Sequence, residues 1–266
     1  MTKHQPPPPD SPSLAPDSAD DTIDYLDERD ARADEAWRAI LTGDIRLAPI
    51  SRIGRAVFRH LPSEPRCKWC YAPYGPPFGP ILSRLGYGRW DKNPTLCGKC
   101  LGYMEENQGG AEVELAVMFA DLRGSTSIAA TMSPADYRAL LNDFYGIAGE
   151  AVQGPGGIVD KYLGDGVLAL FLVGYCDSDP ASTAVGAGLR ILEDAAAHGN
   201  LPVGVGVHHG TAYVGIVGHA GHPTDFTALG DAVNVAVRIS SSAEAGELLV
   251  SEAAMAQLPA RPVGAE

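Results

Sequence analysis

The stretch Ile158-Val159-Asp160-Lys161-Tyr162-Leu163-Gly164-Asp165-Gly166-Val167-Leu168-Ala169-Leu170-Phe171 sets the fold. Ile158–Leu163 and Val167–Phe171 are apolar runs of strand length, and Gly164-Asp165-Gly166 joins them. A short Asp-Gly connection between such runs is a strong hairpin signal. Working outward, Val113–Ala120 predicts a core strand that ends at Asp121. Pro134–Val152 predicts a helix, with Ser133 as N-cap and Asp136 in its first turn. Pro180–Ala197 and Ala232–Ser242 predict two more helices. Val203–His209 and Ala212–Val217 predict two strands on either side of Gly210-Thr211, and Glu247–Val250 a late strand. This order predicts an α+β fold, a mainly antiparallel sheet with helices on one face.

Upstream the composition changes twice. Residues 1–20 hold six prolines and almost nothing to bury, so a disordered tail is expected. Residues 21–62 read as helical: one run from Asp21 to Gly43, then a basic amphipathic helix from Ile50 to Leu61. Residues 63–108 are rich in Gly, Pro and aromatics, which predicts turns and short hairpins. The net charge is −13 over 266 residues. It is divided as −7 over 1–44, +8 over 45–100 and −14 over 101–266. A chain this acidic is a poor general nucleic-acid binder, and only the basic segment supports that reading. No charged start followed by an apolar stretch opens the chain, and runs such as Val167–Cys176 fall far short of a membrane span. A cytoplasmic protein without a membrane span is expected.

The basic segment carries Cys67-Lys68-Trp69-Cys70 and Cys97-Gly98-Lys99-Cys100. Four thiolates in two CxxC pairs suit a tetrahedral structural Zn²⁺, with an iron–sulfur cluster as the alternative. Asp121, at a strand end, precedes Leu122-Arg123-Gly124-Ser125-Thr126 and a helical run. Such a turn offers backbone N–H groups to phosphate oxygens, and the carboxylate can hold Mg²⁺. Taken singly, Asp121 reads equally well as a helix cap and Asp165 as a turn residue. Together they place two carboxylates at the ends of core strands, and such a pair suits two divalent ions acting at phosphorus.

Three blocks carry a resemblance. Phe119-Ala120-Asp121-Leu122-Arg123-Gly124-Ser125-Thr126 is the first and Lys161-Tyr162-Leu163-Gly164-Asp165-Gly166 the second. The third is Leu229-Gly230-Asp231-Ala232-Val233-Asn234-Val235-Ala236-Val237-Arg238. They resemble the signature blocks of class III adenylyl/guanylyl cyclases, in the family's order, over about residues 112–255. The resemblance implies a ferredoxin-like cyclase domain over 109–266 that acts as a head-to-tail homodimer with active sites at the interface. It implies that Asp121, the Leu122 backbone and Asp165 hold two Mg²⁺ or Mn²⁺. Gly124, Ser125 and Thr126 would then bind substrate. Lys161 and Thr227 would read the purine, and Asn234 and Arg238 would orient the ribose and stabilise the transition state. In the family these last four reach the site from the opposite subunit.

A lysine donating to adenine N1 and a threonine oxygen accepting from N6 suit ATP, whereas guanine would want a carboxylate. The implied reaction makes 3′,5′-cyclic AMP and pyrophosphate from ATP. One departure stands out: the family domain usually continues into a terminal hairpin with a phosphate-binding lysine. No lysine follows Lys161, and Arg261 is the candidate substitute. A cyclase-like nucleotide-binding regulator is therefore the alternative expectation.

Overall fold

The computed structural model describes residues 34–43, 49–62, 64–90, 94, 96–106, 109–176, 179–218 and 224–259. The expected proline-rich tail, the first part of the predicted 21–43 helix and Arg261 lie outside the described residues. Helix α1 covers 34–42 and α2 covers Pro49–Phe58. A short α3 (Gly79–Leu82) runs into a π-helical turn at Ser83–Tyr87, and α4 spans Gly98–Glu106. Then follow β1 (Gly110–Leu122), α5 (Ser125–Thr131), α6 (Pro134–Gln153), β2 (Ile158–Leu163) and β3 (Gly166–Leu172). The chain continues through α7 (Pro180–Ala197), β4 (Val203–Val217), β5 (Asp225–Leu229), α8 (Asp231–Ser242), β6 (Leu248–Val250) and α9 (Glu252–Met255).

The strands form one sheet in the order β2-β3-β1-β4-β5, antiparallel at every step, with β6 added parallel to β4. β1 is central and buried on both sides, which is why its sequence is a near-continuous apolar run. Its side chains alternate between faces. Val113, Leu115, Val117 and Phe119 join one core cluster, and Ala116, Met118, Ala120 and Leu122 the other. Each fully buried Leu or Phe contributes about 2 kcal/mol relative to exposure.

The expected helical layer is supplied by α6 and α7, through Phe144, Ala148, Ala184 and Ile191. The Ser133 side chain caps α6 as its sequence predicts, accepting from the Asp136 N–H. The opposite face is also covered. Ala232 and Ala236 of α8 pack there, and so do Trp37, Leu41 and all four CxxC cysteines. At Gly206 a Cβ would lie 2.2 Å from the Ser240 nitrogen. Only glycine lets α8 approach β4 this closely.

Three local expectations change. Gly210-Thr211 is not a turn: β4 is one 15-residue strand, held straight through that point by Leu115↔Gly210 and Glu114↔Thr211 pairing. Glycine weakens a strand, but thirteen consecutive partners along β1 outweigh that local signal. β5 has no counterpart among the predicted strands, because its five residues are too few for alternation to register. The cysteine segment contains helix as well as turns, since α4 starts within the second CxxC pair.

Candidate active site and cysteine centre

The strand register brings Asp121 and Asp165 together. Asp121 pairs with Gly166, the residue after Asp165, and the Leu122 N–H donates to the Asp165 carbonyl at 3.1 Å. Asp121 thus lies in the last turn of strand rather than beyond it. Gly124 adopts left-handed backbone (φ 65°) and starts α5 at Ser125. That turn aims the Ser125 hydroxyl at the Asp165 carboxylate, to which it donates. The Arg123 guanidinium lies against the Asp121 carboxylate and donates to the Ser241 carbonyl at 3.2 Å. Burial lowers the Arg123 pKa, and the charge of Asp165 raises it. Ser240 Oγ is 3.5 Å from Asp121 Oδ1. A carboxylate on β1 and another in the β2–β3 turn beside it, with oxygen ligands only, are a donor set for hard divalent cations.

A second cluster joins the two outer edges of the sheet. Lys161 Nζ sits 3.2 Å from Asp225 Oδ2 and 3.8 Å from Asp160 Oδ1. Thr227 Oγ1 donates to Asp160 Oδ2 at 2.8 Å. Burial pushes the Asp160 carboxyl up to about 6, against the hydrogen bond from Thr227 and the charge of Lys161. Lys161 therefore faces β5, while Asp165, four residues on, faces Ser125. Asn234 and Arg238 are exposed on α8, and Arg238 is 3.6 Å from Asp231. As an i, i+4 pair they share one helix face. Asp121 and Asp165 thus form one cluster, and Asp160, Lys161, Asp225 and Thr227 another.

Asp160, Asp225, Arg123 and Ser240 were not picked out by sequence. The signal for Asp160 is a carboxylate directly after the buried Ile158 and Val159 within one strand.

The four cysteines of the CxxC pairs also converge. Their sulfurs all lie within 4.8 Å of one another and all four residues are buried. Sγ separations are 3.9 Å for Cys67–Cys100 and 3.6 Å for Cys70–Cys97. A tetrahedral ion with Zn–S of about 2.3 Å requires S···S of about 3.8 Å, whereas a disulfide needs about 2.05 Å. Without a cation the Cys67 thiolate foremost, then Cys70, Cys97 and burial, hold the Cys100 thiol far above its ordinary range. Trp69 Nε1, Tyr74 Oη and Tyr175 Oη are buried around this centre, Tyr175 beside Trp69 and Tyr74 beside Cys67. Such donors suit metal-bound thiolate sulfur. Arg55 crosses the first CxxC turn, donating to the Trp69 carbonyl at 2.7 Å and the Lys68 carbonyl at 3.0 Å.

Comparison with known proteins bears on the sheet half of the chain. Residues 110–263 match the family model described as the adenylate and guanylate cyclase catalytic domain. An adenylate cyclase of Anabaena cylindrica is 38% identical over 133 residues, covering 47% of this chain and 26% of that protein. The chain therefore spans about a quarter of that relative's length. Among solved structures, the adenylyl cyclase CyaB from P. aeruginosa superposes with a TM-score of 0.50 at 28% identity, over 56% of this chain and 81% of that one. The guanylyl cyclase Cya2 superposes with a TM-score of 0.50 at 27% identity, over 56% and 79%. Among the described residues no helix is long and apolar enough to cross a membrane.

Proposed function

Because the chain belongs to the adenylate and guanylate cyclase catalytic-domain family over residues 110–263, we propose that it converts ATP to 3′,5′-cyclic AMP and pyrophosphate, as a homodimer in a signalling role. The observation that carries this reading is the split arrangement: Asp121 and Asp165 at one sheet end, Lys161 and Thr227 clustered elsewhere. Two chains placed head to tail would bring the carboxylates of one to the base-reading groups of the other.

In this reading Asp121, the Leu122 backbone and Asp165 hold two Mg²⁺ or Mn²⁺. When bound, these ions supply a lowered pKa at the ribose 3′-hydroxyl and charge neutralisation on the triphosphate. Gly124, Ser125 and Thr126 line the phosphate side, and Ser125 steadies the Asp165 carboxylate. From the other chain, Lys161 donates to adenine N1 and the Thr227 oxygen accepts from the N6 amino group. Asn234 orients the ribose. Arg238 presents its planar fork to the phosphate oxygens, where negative charge grows as the 3′-oxygen bonds to the α-phosphorus and pyrophosphate leaves. The 3′-hydroxyl proton passes to solvent water as that bond forms.

The cysteine centre is assigned to one structural Zn²⁺ per chain. Sulfur separations near those of a tetrahedral ion support a single metal over a cluster, which must fit several irons and sulfides between the thiolates.

The test is conversion of ATP and of GTP with Mg²⁺ and with Mn²⁺, beside Asp121→Ala. Cyclic AMP formation that disappears in the variant is expected. Predominant cyclic GMP would reassign the substrate. Nucleotide binding without product from metal-loaded dimer would favour the regulator.

A further inference from the structure

We propose that Asp160 is a positioning residue that fixes the direction of the Thr227 hydroxyl and so selects adenine over guanine. This rests on the assignment of Lys161 and Thr227 to the base.

The backbone explains how Asp160 comes to be there. Along β2 the register jumps between Val159↔Ala169 and Lys161↔Leu168, so Asp160 is the extra residue of a β-bulge. On a regular strand Asp160 and Lys161 would point to opposite faces. A bulge re-aims the side chains around it, and here both reach β5. Lys161 meets Asp225, and Asp160 meets Thr227, although β2 and β5 are the two ends of the strand order. The Asp160 side chain is fully enclosed.

The chemistry follows from the inventory of donors and acceptors. A hydroxyl has one proton and two lone pairs. Asp160 Oδ2 takes the Thr227 proton at 2.8 Å. Asp160 also accepts from the Ala228 backbone. With its proton committed, Thr227 Oγ1 can only accept from a ligand. Adenine offers the N6 amino group, a donor. Guanine offers O6, an acceptor, and two acceptors facing each other share no proton. The Lys161 ammonium, held by Asp225 and Asp160, can only donate. It suits adenine N1, a bare acceptor, and not guanine N1, which carries hydrogen. Asp160 thus sets the polarity of Thr227 without touching the base, while the Lys161 ammonium is a donor by its own chemistry. Burial drives the Asp160 pKa up, so the fold gains nothing from an ionised carboxylate there. Its benefit lies in what it orients.

The experiment compares Asp160→Ala, Asp160→Asn, Thr227→Val and the Asp160→Ala/Thr227→Val double variant. Each is first shown by thermal melting to be folded. The readouts are the ATP-to-GTP ratio of kcat/KM and the ratio of Kd values for fluorescent ATP and GTP analogues. Asp160→Ala frees the hydroxyl to donate and is expected to lower both ratios by about tenfold or more. Asp160→Asn keeps an oxygen toward Thr227 and is expected to stay within about threefold of wild type. In the Thr227→Val background, Asp160→Ala is expected to change neither ratio. Unchanged ratios in Asp160→Ala overturn the proposal, and so does an equal fall when Thr227 is absent. A wild type without preference for ATP overturns this proposal and the substrate assignment together. If the wild type binds ATP selectively but forms no product, the proposed activity falls, and the Kd ratios still decide the role of Asp160.

Discussion

At the scale of single residues, in the proposed reading Asp121 and Asp165 carry the chemistry and Asp160 tunes it. Asp121→Ala or Asp165→Ala is expected to lower kcat about a thousandfold, with the thermal midpoint nearly unchanged in Asp165→Ala and lowered in Asp121→Ala, which leaves the Arg123 guanidinium without its carboxylate. Steady-state rates paired with melting curves check this. Asp160 makes a pH-dependent contribution of known sign. Its folded pKa, about 6, lies above the ordinary 3.8. A raised carboxyl favours folding below about pH 4, and that contribution is lost as pH rises through 6. The difference amounts to ~3 kcal/mol. Urea titrations should therefore find Asp160→Asn gaining stability relative to wild type between pH 4.5 and 7.5. A constant difference across that range would remove the buried-charge account. Asp121, Asp165 and Lys161 sit in linked motifs and Thr227 two residues before the third, which is how the sequence singles them out. Asp160 and Asp225 are not singled out, because their partners lie across the two ends of the sheet, and no local spacing encodes that meeting.

At the scale of elements, the apolar runs were readable and the exceptions have physical causes. β2, β3 and α7 begin and end within a residue of where hairpin and capping signals put them. β4 was split in reading because Gly210-Thr211 has turn chemistry, yet a long partner strand overrides it. The bulge at Asp160 left no mark on the hydrophobic pattern, since an inserted residue is visible only against its partner strand. The contact of α8 with β4 depends on Gly206, whose place a Cβ could take only by entering the α8 backbone. Gly206→Val is expected to cost roughly 1–3 kcal/mol. It should also reduce kcat, because α8 carries Asn234 and Arg238. Denaturation and rate measurements on one preparation would show both effects. A loss of stability with unchanged kcat would mean that α8 does not position the site.

At the scale of the whole molecule, the cysteine segment is fused to the sheet. Cys67, Cys70, Cys97 and Cys100 belong to the same buried cluster as Val113, Leu115, Leu170 and Phe226. Trp37 stacks on Phe226 with centroids 6.5 Å apart. Removing the metal should therefore weaken the catalytic sheet as well. Elemental analysis is expected to find zinc in the wild type and none in Cys97→Ser, and the substitution to lower a single thermal transition by on the order of 10 °C. Two separate transitions would show that segment and sheet fold independently. The cysteine spacing is legible in the sequence but this docking is not, because it depends on apolar residues with no motif of their own. The largest-scale expectation is that each active site is built from two chains. Its most direct test mixes two variants, Asp121→Ala and Arg238→Ala, and measures cyclic AMP formed from ATP. Each variant alone is expected to be nearly inert. Random pairing should restore about a quarter of wild-type activity, because half the dimers are mixed and each carries one intact site. An inert mixture, from variants shown to exchange subunits and beside an active wild type, would contradict the shared site.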